Sequence, residues 1–553
     1  MKHDRPLAIL GSTPAKKCSR LWGLLAWLLV LNLPALAYLV GPPLDLAKLT
    51  AEADVIFKGK AVATVPVTDA WFQPVDDFAA RETEFKVISV IKGDAPGGKL
   101  PFRHYDENSQ QRGRMYEPQF YHFEVGRTYV VFAKRSEVAG HFRQIALHHT
   151  GKQDQGVLRC ADDKPVASTG IKDVLWSEIG ALLQSPEAKD AIYGLQQLDE
   201  MSGRSGAFSA TKDFDRMEAL KTAGPLMKSD HEDVARAAIT MIGCANPYLS
   251  DDSAPYWLGT VGAAGNPGLV QLDPNLINTG GELFQADLIA LAKSAAPAAT
   301  RALAIRALGR VQAPAVAESV PAWAKDAEPL VRAAAALLLA DFPGEATLPQ
   351  ISALAADPAA EVRQNAAYTI GFQQAAKLAD TLDKLLADAD PKVRFAASQS
   401  LLSFSPKDAA IAAIFRKNQP NEEFYPLFLL ALARDNPQDF LEPLAKVVEG
   451  QPEPKNWRGG QVPSYTAFNL LFKYLQAQPA ADVRAGKYDR YLDAMEKGYV
   501  TGSSEPRDIY AFYLQREMTE RAKKYRATAS KAAGYDLEYY FKQVDQSPGN
   551  YTR

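Results

Sequence analysis

The chain has 553 residues, more than one ordinary hydrophobic core organises, so several structural units are expected. Its 47% hydrophobic and 23% charged residues are globular proportions, and 36 Gly with 36 Pro exclude wholesale disorder. A formal net charge of -3 gives no overall attraction to nucleic acid or acidic lipid.

The N-terminus carries Lys2, Arg5, Lys16, Lys17 and Arg20 against Asp4, followed by the apolar run from Leu24 to Leu31. The run ends at Ala35-Leu36-Ala37, with small residues at the last and third-last positions, the pattern a signal peptidase reads. Residues 1–37 are therefore expected to be a signal peptide, cut after Ala37, and the mature chain to be periplasmic or secreted. The alternative, an uncleaved anchor, would be the chain's only membrane contact. Against it, Asn32 and Pro34 interrupt a stretch already shorter than the ~20 residues a spanning helix needs. Two cysteines remain in the mature chain, Cys160 and Cys244; in an oxidising compartment they either pair or stay as buried thiols.

Residues 44–165 read as a β-rich domain. Val55–Val62, Glu82–Ile91 and Thr128–Phe132 are rich in β-branched and aromatic residues, separated by turn signals at 92–98, Gly126 and Gly140. Several short strands at this spacing predict a small antiparallel β-barrel or a sandwich. Five of the seven histidines (His104, His122, His141, His148 and His149) lie here without metal-ligand spacing. Adjacent His148 and His149 on a strand would point to opposite faces, so ordinary strand or loop histidines are expected.

Residues 171–245 begin a helical region, residues 246–281 an irregular insertion, and residues 282–450 a regular array. Asp326, Asp357 and Asp388 recur with a period of 31, as do Val331, Val362 and Val393 and Arg332, Arg363 and Arg394. Pro329, Pro358 and Pro391 stand in or just before the first turn of each second helix, where a missing amide costs least. Asp230 and Arg236 share the six-residue spacing. Arg301 opens a similar helix, but Ala295 stands where its Asp would be, so a gap is expected there. A catalytic pair occurs once, whereas recurrence in every repeat is what a structural ladder requires. The insertion carries Tyr248, Tyr256 and Trp257, aromatic residues suited to contacting a partner. Residues 451–553 read as a helical cap: ten of the 22 tyrosines follow residue 483, with rings expected inward and hydroxyls in water.

Two resemblances follow. The order Ala53–Gly59, Phe85–Gly93 and Val125–Phe132 resembles exported bacterial netrin-like domains, similar to the N-terminal domain of tissue inhibitors of metalloproteinases, an OB-type barrel. In those inhibitors an N-terminal Cys chelates the protease metal. Here the expected mature terminus is Tyr38 and no Cys precedes Cys160, so inhibition of a peptidase is not implied. The 31-residue pattern resembles HEAT repeats, particularly the short variety named after phycobilisome lyases, in which an Asp and a basic residue form a polar ladder between repeats. The resemblance implies an all-α superhelical solenoid following the barrel.

No GxSxG, GxxxxGK[ST], HExxH, CxxCH or paired CxxC occurs, and no catalytic, cofactor-binding or metal-ligating residue is assigned. The expectation is a non-catalytic scaffold that binds a protein or peptide through the concave face, with no nucleic acid and no cofactor. Its rival is an envelope enzyme or enzyme subunit with a site near residues 246–281.

Overall fold

A computed structural model describes residues 44–74, 78–107, 119–145, 155–203, 211–243, 278–418, 424–434, 436–450, 463–499, 505–532 and 537–547. The chain divides into two compact units at Ala223 and Gly224.

The first unit holds a closed five-stranded barrel. Strands β1 (Val55–Pro66), β2 (Phe78–Lys92), β3 (Lys99–Glu107), β4 (Thr128–Arg135) and β5 (Phe142–Gln144) pair in the order β1-β2-β3-β5-β4, and β4 returns to β1. The pairings are antiparallel except β3 with β5, where Phe102 and Arg103 run parallel to Phe142 and Arg143. One parallel contact closes the circle, a detail that strand composition does not carry. A short β6 (Val157–Arg159) adds to β4. Strand β1 serves two neighbours because it is long and kinked: its register against β2 shifts between Lys58 and Gly59 and again between Ala61 and Ala63. Alternating residues of the strands turn Val55, Phe57, Phe85, Phe102, Tyr129 and Val131 inward, where they join Phe123. The rings of Phe85, Phe102, Phe123 and Tyr129 meet edge to face at 5.0–6.3 Å.

His104 sits fully inside this core. Its Nε2 lies 2.8 Å from Thr83 Oγ1 and its Nδ1 3.1 Å from the Tyr105 carbonyl. Burial pushes its pKa down to about 3, so the ring is neutral at ordinary pH. His122 is exposed and His141 half-buried, while His148 and His149 lie outside the described residues.

Helices α1 (Leu46–Glu52), α2 (Ile171–Leu183), α3 (Ala188–Met201) and α4 (Arg216–Ala223) complete the unit. Buried charge ties α2 and α3 to the barrel. Lys58, only 1% exposed, reaches from β1 to Glu178 at 2.7 Å, and Arg127 grips Asp190 with two bonds of 3.1 and 3.0 Å. The guanidinium of Arg159 lies 4.3 Å over the Tyr193 ring. Helices that composition assigns to a following region thus belong to the barrel's own unit. Cys160 lies beside the Lys58–Glu178 pair as a buried, free thiol, its pKa pushed well up by burial. Cys244, its possible disulfide partner, lies outside the described residues.

The second unit is helical: α5 (Glu232–Ile242), α6 (Thr279–Leu283), α7 (Gln285–Ala292), α8 (Ala298–Ala307), α9 (Pro314–Trp323), α10 (Pro329–Leu338), α11 (Leu348–Leu354), α12 (Ala360–Phe372), α13 (Ala379–Leu385), α14 (Pro391–Ser403), α15 (Ala409–Lys417) and α16 (Tyr425–Ala433). First and second helices alternate from α7 onward, and the second helices α8, α10, α12 and α14 pack side by side. Runs such as Ala333–Ala336 in α10 let these backbones approach closely. A C-terminal bundle follows: α17 (Leu441–Val448), α18 (Pro463–Gln476), α19 (Ala480–Arg484), α20 (Asp489–Gly498), α21 (Glu505–Gln515), α22 (Thr519–Ala532) and α23 (Glu538–Gln546). Its core gathers Phe468, Leu471, Leu492, Met495, Phe512 and Phe541 around Tyr510, Tyr513 and Tyr525. These three hydroxyls are not left to water. Tyr510 donates to Asp545 at 2.8 Å, Tyr513 to Glu496 at 2.7 Å and Tyr525 to the Tyr499 carbonyl at 2.6 Å. No helix among the described residues is long and apolar enough to cross a membrane.

Candidate functional site

The row of second helices carries the most regular chemistry of the chain. Arg332, at the start of α10, donates from Nε and Nη2 to both Asp357 carboxylate oxygens, at 2.7 and 3.0 Å. Arg363 on α12 does the same to Asp388, at 2.7 and 2.8 Å, and Arg301 on α8 grips Asp326 at 2.7 and 3.2 Å. Each Arg thus reaches the Asp of the following repeat, 25 residues on. The remaining Nη1 of Arg332 folds back to the carbonyls of Asp326 and Ala327, and that of Arg363 to those of Asp357 and Pro358. Arg394 likewise caps Asp388 and Ala389. Each Asp also accepts a backbone N–H two residues later: Glu328, Ala359 and Asp390.

One side-chain fork therefore fixes two repeats and the helix start between them. Hydrogen bonds from Arg301 and Arg363 hold the carboxyls of Asp326 and Asp388 below the usual range. At Asp357 burial opposes ionisation, but the Arg332 bond and the Ala359 amide outweigh it and the pKa is again lowered.

A second set of bonds runs along the same row. Asn365 and Thr369 of α12 donate to the carbonyls of Ala333 and Ala336 in α10, and Ser400 and Ser403 of α14 donate to Ala367 and Gly371 in α12. Some buried polar atoms of the repeats make no such bond, among them Trp323 Nε1 and Gln399 Nε2. Tyr368 is fully buried, with the Gln364 side chain as its hydrogen-bond neighbour. Tyr368 and Gln399 occupy the same position of successive repeats, 31 residues apart. Burial pushes the Tyr368 hydroxyl up to about 12, so it stays a proton donor.

The HEAT-repeat family model matches residues 286–367 and 349–417, the stretch that contains the Arg–Asp rungs. Residues 286–417 are HEAT repeats. The protein YibA of E. coli is 16% identical, with a TM-score of 0.34 over 54% of this chain and 93% of its own. A chain of the Kap95p–RanGDP structure is 14% identical, with a TM-score of 0.28 over 65% of this chain and 41% of its own. No curated protein matches the sequence.

Within the HEAT repeats, the sequence places Arg332, Asp357, Arg363 and Asp388 in rungs, with Arg394 closing its own helix start. The gap expected at Arg301 lies elsewhere: Arg301 pairs forward with Asp326, so Ala295 leaves the preceding helix, α5, without an acid to grip. Asp230 and Arg236 are not brought together, and neither side chain makes an ion pair among the described residues. The side chains of Asp326 and Arg332 are not paired with each other either: a rung joins each Arg to the Asp of the next repeat, and for α5 that position is Ala295. Tyr248, Tyr256 and Trp257 lie outside the described residues. Spacing alone did not single out Tyr368 and Gln399, because the residues at that repeat position (Arg306, Leu337, Tyr368 and Gln399) share no residue type. Among the described residues, no group of three or more His, Cys, Asp or Glu is placed to hold a metal.

Proposed function

We propose that this protein is an exported, non-catalytic scaffold that holds a protein or peptide partner along the concave face of its HEAT repeats. The observation that carries the reading is the HEAT-repeat array of residues 286–417, since stacked helix pairs of this kind present an extended surface that commonly holds proteins. Export rests on the basic and apolar segment ending Ala35-Leu36-Ala37, with maturation after Ala37 and a periplasmic or secreted location.

The test is affinity capture from the native envelope with the tagged chain and with an Arg332→Gln/Arg363→Gln double variant, which removes two rungs and loosens the spacing of the repeats. A partner recovered with the parent protein and depleted at least tenfold with the variant is the expected result. Recovery of nothing above a tag-only control, or equal recovery with both, overturns the reading.

A further inference from the structure

One cleft of the second unit lies off the ladder. Asp233, Arg236, Ala237 and Thr240 of α5 face Leu303 of α8 around a volume of about 270 Å³. The α5–α8 contact has no Arg–Asp rung; Thr300 of α8 donates instead to Glu232 at 3.0 Å. Arg236 is half-buried, and its Nε is enclosed without any acceptor. Thr240 is anchored by a 2.8 Å bond from its Oγ1 to the Arg236 carbonyl, which leaves the oxygen's lone pairs to the cleft.

The same molecule shows what such a fork holds. In the neighbouring repeats, Nε and Nη2 of Arg332 and Arg363 each engage an Asp carboxylate in parallel. Arg236 carries the identical fork, and its Nε has no acceptor. We infer that the Arg236 cleft is a carboxylate-binding site for an acidic side chain of a protein partner. This rests on the scaffold reading above and names one chemical feature of the partner.

The shape of the fork narrows the ligand. Asp233 shares the wall with Arg236 and weakens the binding of any anion. A planar carboxylate matches the guanidinium in the way the neighbouring rungs show. Leu303 and Ala237 supply apolar contact for the methylene groups of a glutamate.

The experiment uses the full chain and two end-capped, fluorescein-labelled pentapeptides, glycines flanking one central Glu or Gln, followed by fluorescence anisotropy. The Glu peptide is expected to bind at least tenfold more tightly, a difference of about 1.4 kcal/mol. Arg236→Gln brings it to the Gln level, and Arg236→Lys loses most of the preference because an ammonium lacks the fork. Asp233→Asn tightens the Glu peptide and lets inorganic phosphate compete. Equal binding of both peptides to the parent chain overturns the inference. So does a Glu preference that persists in Arg236→Gln at an unchanged melting temperature. Envelope capture separates this idea from the scaffold reading. Absence of a Glu preference, with a partner still captured by the parent chain and lost with the rung variant, removes the carboxylate site alone; capture of no partner removes the scaffold.

Discussion

Replacing Arg332 by Gln removes one rung and leaves the helices on either side intact. Two charge-assisted bonds to Asp357 are lost, at 2.7 and 3.0 Å, together with the two bonds to the Asp326 and Ala327 carbonyls. The pair is neither deep nor free: the Arg side chain is 13% exposed and the Asp 9%. Breaking a buried pair costs about 3–5 kcal/mol and losing a surface pair ~0–1. Asp357 keeps its bond from the Ala359 amide, so an intermediate loss of about 2 kcal/mol is expected. In a repeat stack each unit contacts only its neighbours, so the loss stays local. Hydrogen exchange read by mass spectrometry should show amides of α10 and α12 opening roughly 30-fold more often, while barrel amides are unchanged.

The same rung sets a pH dependence. The Asp357 carboxyl is held below its ordinary value, so its contribution is full above about pH 3.9 and is lost as pH falls through the lower folded value. The difference between parent and variant should therefore vanish in acid. Protection that is unchanged across α10–α12, or that falls equally in the barrel, would refute the argument.

Lys58→Met should lower the melting temperature of the first unit, with a loss of about 3–4 kcal/mol, because Glu178 is left buried beside no cation. The double change Lys58→Met/Glu178→Leu should recover much of that loss; no recovery would show that the pair is not the cause. His104, with a pKa of about 3, stays neutral where the unfolded ring takes up a proton. Barrel stability should then fall by about 1 kcal/mol per pH unit from pH ~6.5 down towards 3, a slope absent in His104→Phe when urea unfolding is followed across pH. Tyr368→Phe should lower urea stability by about 1 kcal/mol, since it leaves the Gln364 side chain without the hydroxyl. Unchanged stability would show that this bond does not contribute.

What was legible in the sequence was whatever repeats or alternates. The 31-residue period placed α10, α12 and α14, because Val331, Val362 and Val393 must all enter the same core at the same phase. Short β-branched runs placed the barrel strands. Single long-range meetings were not legible. Nothing near Lys58 in sequence foretells Glu178, 120 residues away, or the grip of Arg127 on Asp190. The six-residue spacing also did not carry the pairing: Asp230 and Arg236 stand six apart like Asp326 and Arg332, but a rung needs the Asp of the next repeat, and Ala295 stands there. Tyrosine in the C-terminal bundle likewise carries no label for its partner, and the acids at Glu496 and Asp545 decide that the rings of Tyr513 and Tyr510 are anchored rather than wet.

The two polar systems of the repeats have different consequences for binding. Alanine-rich contacts between second helices bury little area per residue, so apolar packing alone would leave neighbouring repeats free to slide. The Arg–Asp rungs and the Asn, Thr and Ser bonds to carbonyls are directional, and each forms only at one offset of adjacent helices. They fix the repeat distance more narrowly than packing could. Where the ladder stops, at α5 and α8, that constraint is relaxed and the Arg236 cleft opens. The regular part of the array therefore sets spacing, and its interruption supplies a distinct charge to recognise.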